Sequence, residues 1–169
     1  MLDQWFAFFD CAYVGVRSHL GVDALSLARG DRWSLMGPNR RNVLIVDDDD
    51  DIRSLIRYWL SDDPRCGMIW EATDPLTAAG LSVLLPVDVV IIDFVLGNHT
   101  ASDCLSNLRE SRPDARIIVY TANIEVAKGA DVLRQGADQL VQKVTVVVED
   151  VVRMAFDGAR VGGVAPVAG

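Results

Sequence analysis

Short runs of β-branched residues alternate along this chain with segments of helical periodicity, and no other feature of the sequence constrains the fold as strongly. The third run, VDVVII, is apolar almost throughout, as is typical of a central strand covered on both faces. This βαβα order predicts an α/β fold in which a parallel sheet carries helices on both faces. The predicted strands are Val43–Val46, Met68–Glu71, Val87–Ile92, Ala115–Tyr120 and Gln139–Gln142.

Helices are predicted between and after these strands. The second helix should begin at Asp74-Pro75, where an Asx cap precedes a proline at the first helical position. The third covers about Ala101–Arg109, the fourth ends at Gly136, and the fifth runs from about Val146 to Phe156. The first helix has an apolar stripe of Ile52, Leu55, Ile56, Trp59 and Leu60. The fourth has a stripe of Val126, Ala127, Ala130 and Leu133.

The composition of the chain changes near residue 41, which predicts a domain boundary there. Residues 1–41 hold six of the twelve aromatic residues and carry a net charge of +1, whereas the whole chain carries −8. We therefore expect an N-terminal extension over residues 1–41 and a folded domain over residues 42–157. A Gly/Ala/Val/Pro-rich tail over residues 158–169 is expected to fray.

Two interpretations of the extension stay open. Its residues have the spacing of an amphipathic helix, and the polar face lacks the Lys and Arg of a membrane-surface helix, which favours docking on a protein. Alternatively, translation starts at Met36, shortly before the domain, in which case residues 1–35 come from a misassigned start codon. The apolar stripe consists of Trp5, Phe9, Ala12, Tyr13, Val16 and Leu20.

Charge and hydropathy exclude several classes of function. With 24 acidic and 16 basic residues, the chain has no long-range attraction for nucleic acid or for an anionic membrane. No apolar run approaches the roughly 18 residues needed to span a bilayer, and the first residues lack the basic charge of a signal peptide. The three cysteines are too scattered to indicate a disulfide framework or a zinc site. We expect a cytoplasmic protein without direct nucleic-acid contacts or a membrane span.

Acidic residues come directly after two of the predicted strands. Asp47 and Asp48 follow the first strand, and Asp93 follows the third, so the sheet should deliver all three to its carboxyl edge. Asp49–Asp51 fall at the start of the first helix, where acidic residues favour the helix dipole. Three neighbouring carboxylates are tolerable only with raised pKa values or a bound cation, and an all-oxygen site favours Mg²⁺.

A hydroxyl and an ammonium are expected at the same edge. Thr121 follows the fourth strand and Lys143 follows the fifth. Each is unremarkable by itself, as a strand-end threonine and a surface lysine. Beside a metal-binding cluster of carboxylates, however, a hydroxyl donor and a point charge are the groups that hold the oxygens of a transferring phosphoryl group. The joint placement therefore indicates phosphoryl chemistry.

Over about Asn42–Phe156 the chain resembles the receiver domain of two-component response regulators. The matching motifs occur in the order of the family and read LIVDDDDDIR, EATDPLTAA, DVVIIDFVLG, RPDARIIVYTA and GADQLVQK. The resemblance implies a flavodoxin-like, doubly wound sheet of five parallel strands in the order 2-1-3-4-5. It also implies a role for each residue at the predicted site.

By this resemblance, Asp93 is the phosphoacceptor and Thr121 and Lys143 contact the phosphoryl group. The implied mechanism is attack of the Asp93 carboxylate on the phosphohistidine of a kinase, or on a small acyl phosphate, followed by hydrolysis of the acyl phosphate. This is self-catalysed phosphotransfer and autodephosphorylation, not conventional enzymatic turnover. The metal ion is Mg²⁺, and its implied ligands are Asp47, Asp48, Asp93 and the backbone carbonyl of Val95.

The resemblance also implies partners. The phosphodonor would be a bacterial sensor histidine kinase or a phosphotransfer protein, and the output would pass through the face formed by the fourth helix, fifth strand and fifth helix. Little sequence follows the fifth helix, so we expect a stand-alone receiver that signals through another protein; a homodimer is left open.

Four positions depart from the pattern of the family. Val144 stands where a proline in a cis bond commonly follows the lysine, and Leu140 replaces an aromatic residue that moves with the threonine. Gly97 and Ala101 stand where proline and glycine are usual. These departures keep a second hypothesis open, a receiver-like interaction module that works without phosphorylation.

A third hypothesis, a phosphatase with an aspartate nucleophile, has less support. Such enzymes generally need a second aspartate two residues after the first, and Val95 occupies that position relative to Asp93.

Overall fold

The computed structural model describes residues 40–122 and 126–157, except for the side chains of residues 126–128. The predictions for the aromatic extension before residue 40 and for the tail from residue 158 lie outside the described residues. In the part that is described, no helix has the length and apolar character needed to cross a membrane.

Five parallel strands form the central sheet, as predicted. Their ends lie within two residues of the predicted ones, and the spatial order β2-β1-β3-β4-β5 is the predicted 2-1-3-4-5 arrangement. The strands are β1 (Arg41–Val46), β2 (Cys66–Ala72), β3 (Val89–Ile92), β4 (Arg116–Thr121) and β5 (Gln139–Gln142).

Helices cover both faces of the sheet because the strand side chains alternate between two apolar clusters. Val43 and Ile45 of β1 face a cluster that includes the first and last helices, whereas Leu44 and Val46 face the other three. All four residues of β3 are buried, as expected for a central strand. The helices are α1 (Asp50–Asp62), α2 (Pro75–Leu84), α3 (Leu105–Ser111), α4 (Val126–Arg134) and α5 (Val148–Phe156).

The predicted stripe of α1 is wrong at one position. Leu55 is 43% exposed, and Arg53 is buried instead. Arg53 lies three residues before Ile56 and seven before Leu60, so it shares the buried helix face with them. Its guanidinium is accommodated there because carbonyl and carboxylate oxygens surround it.

The predicted stripe of α4 is wrong at Ala130 and Leu133, and the side chains of its other two members, Val126 and Ala127, lie outside the described part of the chain. Leu133 is 46% exposed and Ala130 is exposed, while Val132 is fully buried. The helix instead approaches β5 through Gly129, where an added Cβ would lie 2.9 Å from Cδ2 of Leu140. The apolar spacing was ambiguous, and this close contact between backbone and side chain fixed the rotation of the helix.

A small hairpin after β3 was not predicted. Val95–Leu96 pairs with His99–Thr100 in antiparallel fashion, and Gly97 at the first turn position has φ 61°. A glycine there is typical of a type II′ hairpin turn, and proline cannot adopt a positive φ. The hairpin therefore explains why glycine replaces the proline usual in receivers. It also delays α3, since a 3₁₀ turn occupies Ala101–Asp103, where the helix was predicted to begin.

Alanine substitutions at two glycines should have opposite effects on stability. Gly97→Ala should lower the free energy of unfolding by about 1 kcal/mol, because a Cβ disfavours positive φ. Gly80→Ala should raise it by about 0.5 kcal/mol, because Gly80 is exposed within α2 and a Cβ there meets no neighbour. Urea unfolding measures both, and a loss of stability in Gly80→Ala, or none in Gly97→Ala, would contradict this account.

Candidate phosphoacceptor site

The parallel register places Asp47 and Asp93 side by side. Val46 and Ile92, the last residues of β1 and β3, are partners in the ladder, and each aspartate follows one of them. The backbone N–H of Asp93 donates to the carbonyl of Val46 at 2.8 Å, and that of Asp47 donates to the carbonyl of Ala72. Both carboxylates are therefore held at the carboxyl edge by the backbone of the sheet.

Lys143 joins the two carboxylates. Its Nζ lies 2.8 Å from Oδ2 of Asp47 and 2.6 Å from Oδ2 of Asp93. Its backbone N–H donates to the carbonyl of Thr121 at 2.7 Å, which continues the β4–β5 pairing by one step. Three strand ends thus bring together two acids and one base that are separated by up to 96 residues in the chain.

Burial governs the electrostatics of this group. Asp47 is only 2% exposed, and burial raises the pKa of its carboxyl although Lys143 opposes the shift; the charge of Asp93 adds to it. Burial acts against the charged form of Lys143, but its hydrogen bonds to Asp47 and Asp93 raise the pKa of the ammonium. The lysine is therefore the positive charge that makes two adjacent carboxylates tolerable.

The run of five aspartates divides into different roles. Asp48 is exposed, and its Oδ2 accepts the N–H of Gly97 at 3.1 Å, so it faces the hairpin. Asp49 caps α1 by accepting the N–H groups of Asp51 and Ile52. The prediction that Asp49–Asp51 lie at the start of the first helix is confirmed, with Asp49 as the N-cap.

The remaining predicted residues flank the carboxylates. Thr121 is the last residue of β4 and is buried, 1% exposed, beside its ladder partner Gln142. Val95 begins the hairpin, and its N–H donates to Oδ1 of Asp93 over a long 3.3 Å. Both lie next to the strand ends that hold the acids and the lysine.

The donor types fit a hard divalent cation, although the side chains are not gathered around one. Carboxylate and carbonyl oxygens are the ligands that Mg²⁺ prefers, and one or two carboxylates suffice. In the described part of the chain, however, no three acidic, histidine or cysteine side chains are grouped so that they could hold a metal ion. Lys143 bridges Asp47 and Asp93, and Asp48 turns to the hairpin. The ligand set that includes Val95 stays a prediction.

Arg53 is a site residue that sequence reasoning missed. One of its nitrogens donates to the carbonyl of Asp47 at 2.7 Å, and others contact Glu71 and Asp50. Glu71, the penultimate residue of β2, also pairs with Arg57. The network ties the loop that carries Asp47 to α1 and β2. Its signal in the sequence was an arginine spaced with the buried residues of the first helix.

Comparison with known proteins identifies the family. The model of the response regulator receiver domain matches residues 43–152, and the chain belongs to this family. It is 29% identical over 118 residues to the transcriptional regulatory protein LiaR of Bacillus subtilis, covering 69% of this chain and 56% of LiaR. It is 37% identical over 79 residues to a protein-glutamate methylesterase/protein-glutamine glutaminase of Caulobacter vibrioides, covering 47% of this chain and 23% of that protein. The chain thus spans from about a quarter to just over half of these relatives.

Solved structures agree on the fold. A response regulator protein from Burkholderia pseudomallei, crystallised with a phosphorylated aspartic acid, calcium ion and citrate, superposes with a TM-score of 0.62 at 25% identity over 69% of this chain and 66% of that chain. The response regulator domain of Thermotoga maritima CheB gives 0.62 at 23% identity over 70% and 98%. The predicted receiver fold is confirmed.

Two of the cysteines, Cys66 and Cys104, are buried and should be unreactive. Burial raises the pKa of the Cys66 thiol to about 11 and that of Cys104 to about 12, and the thiolate is the reactive form. Iodoacetamide at pH 8 should leave both unmodified in the folded protein and alkylate both in urea, as peptide mapping would show. Rapid alkylation of either in the folded protein would contradict their burial.

Removing the lysine should cost more stability than removing either acid. Lys143→Met leaves the buried carboxylate of Asp47 and the half-buried one of Asp93 without a counter-charge, so the free energy of unfolding at pH 7 should fall by about 3 kcal/mol in the presence of EDTA. Because burial raises the pKa of Asp47, the folded variant takes up a proton more readily than the unfolded chain, and the loss should shrink by pH 5.

The matched control is Asp93→Asn, which keeps the pair between Lys143 and Asp47 and should cost less than Lys143→Met in the same urea titrations. An equal loss in Lys143→Met at both pH values would show that the carboxylates do not depend on the ammonium.

Proposed function

We propose that this receiver domain, over about residues 42–157, accepts a phosphoryl group on Asp93 in a Mg²⁺-dependent reaction. The observation that carries the proposal is the shared contact of Lys143 with Asp93 and Asp47 at the carboxyl edge of the sheet. A nucleophilic carboxylate, a second acid and a fixed ammonium are the groups that phosphoryl transfer to a side chain requires.

The reaction is a displacement at phosphorus. An oxygen of Asp93 forms a bond to the phosphorus of a phosphohistidine or an acyl phosphate, the bond to the donor breaks, and its electron pair leaves with the donor. Lys143 offsets charge on the carboxylate before the step and on the phosphoryl oxygens after it, and the Thr121 hydroxyl donates a hydrogen bond to those oxygens.

A divalent cation supplies further compensation for the phosphoryl charge when it is bound. Asp47, Asp48, Asp93 and the Val95 carbonyl would hold it. Since Asp48 faces the hairpin and Lys143 occupies both other carboxylates, the proposal requires these side chains to rearrange. The Burkholderia structure is described as containing a calcium ion as well as a phosphorylated aspartic acid, which supports a cation of this class.

The partners we propose are a histidine kinase or phosphotransfer protein as donor and a downstream protein as target. Exposed apolar side chains on α4 and in the loop after β5 support the predicted output face. Leu133 lies on α4 and has nearly half of its surface exposed. Val144 and Val147 lie between β5 and α5, and most of the surface of each is exposed.

Intact-mass analysis tests the proposal. Incubation with Mg²⁺ and acetyl phosphate should add one phosphoryl group that hydroxylamine removes, because an acyl phosphate is labile to it. EDTA or Asp93→Asn should abolish the gain. Asp62→Asn, a matched change at the exposed end of α1, should leave it intact.

The second hypothesis is a module that works without phosphorylation. It is favoured because, among the residues that the structure describes, the carboxylates are not grouped so that they could hold a metal ion. It requires the opposite results. The protein should gain no mass and should not respond to Mg²⁺ with beryllofluoride, and its binding to a partner should depend on neither Mg²⁺ nor a phosphodonor. Phosphorylation of wild type but not of Asp93→Asn would remove it.

A further inference from the structure

Tyr120 is a buried polar residue that the proposed reaction does not use. It lies one residue before Thr121 in β4 and is 4% exposed. Its hydroxyl donates to the carbonyl of Val146 at 3.0 Å. A buried hydroxyl without a partner is costly, so this bond fixes both the phenol and the backbone that it reaches.

Val146 closes the turn that begins immediately before Lys143. The carbonyl of Gln142 accepts the N–H groups of Thr145 and Val146, each at 3.1 Å, and the hydroxyl of Thr145 at the same distance. The turn thus closes on itself through a single carbonyl. The phenol of Tyr120 ties its far end to β4, and the N–H of Lys143 ties its near end to the same strand.

The ring of Tyr120 also lies under the lysine. Nζ of Lys143 is 5.6 Å from the ring centroid, within the range of a cation–π contact. One side chain therefore holds the loop with its hydroxyl and faces the ammonium with its ring. Receivers commonly restrict this loop with a proline after the lysine, whereas here the residue is Val144, which is largely exposed and imposes no such restriction.

We propose that Tyr120 is the positioning residue that aims Lys143 at Asp47 and Asp93, in place of a proline after the lysine. Its hydroxyl fixes the turn from Gln142 to Val146, and its ring limits the paths open to the lysine chain. The functional role of this orientation of Lys143 rests on the proposed phosphoacceptor function. The orientation itself can be measured without phosphorylation.

Lysine NMR provides that measurement because the chain contains only two lysines, Lys128 and Lys143. With ¹⁵N-labelled lysine, Lys143→Met assigns the two ammonium signals. Wild type should show nuclear Overhauser contacts between the Lys143 methylenes and the Tyr120 ring. Their absence would overturn the proposal, whatever the Tyr120 variants do.

Tyr120→Phe separates the hydroxyl from the ring. It should keep the ring contacts but speed exchange of the Lys143 ammonium protons about fivefold, the equivalent of one buried hydrogen bond. Tyr120→Leu should lose the contacts as well. Tyr58→Phe is the matched control, because Tyr58 is exposed on α1, and it should match wild type. Exchange in Tyr120→Phe within twofold of wild type would overturn the proposal.

Phosphorylation by acetyl phosphate tests whether Tyr120 acts through Lys143. Tyr120→Phe should slow uptake about fivefold in wild type and not at all in the Lys143→Met background, because its effect passes through the lysine. Equal slowing in both backgrounds would show that Tyr120 acts elsewhere. If wild type takes up no phosphoryl group, the proposed function fails, and the lysine signals still decide the role of Tyr120.

Discussion

The contact of one ammonium with two carboxylates is the interaction on which this site depends. Neighbouring parallel strands end at the same edge, so the residues after β1 and β3 lie together whatever their charge. Asp47 and Asp93 are held there by backbone hydrogen bonds and cannot move apart without opening the sheet. Lys143 arrives on the end of β5 and provides the compensating charge. The fold thus brings two mutually repelling carboxylates together and places the compensating ammonium at the same edge of the sheet.

The surroundings divide the work of holding this group. Arg53 fixes the backbone of Asp47 from α1, and Asp49 begins that helix as its cap. Asp48 turns the other way and contacts the hairpin through Gly97. The identical residues of this run therefore have different functions, because the burial of the side chain and the direction of the backbone change from one residue to the next.

The contacts of Leu140 and Tyr120 differ from the arrangement of aromatic residues usual in receivers. Leu140 occupies the position of that aromatic residue and packs closely against Gly129 of α4. Tyr120 lies on the neighbouring strand and contacts the lysine loop instead. In this chain the aromatic ring adjoins the lysine, while a branched aliphatic side chain meets the helix.

The sequence by itself determined the parallel sheet and the edge to which Asp47, Asp93, Thr121 and Lys143 belong, because strand periodicity is a local signal. The order of the strands is not local, and it was predicted only through the resemblance of the motifs to those of receivers. The sequence also predicted the start of α2, where the cap and the proline act on adjacent backbone.

Only the tertiary structure decided what depends on distant neighbours. The buried faces of α1 and α4 were mispredicted at Leu55 and Leu133, because apolar spacing fits more than one rotation and packing selects among them. The aim of Lys143 and its bridge to both acids depend on residues up to 96 positions away. The contact of Tyr120 with Val146 likewise depends on residues 26 positions apart, and no local pattern encodes a bond between them.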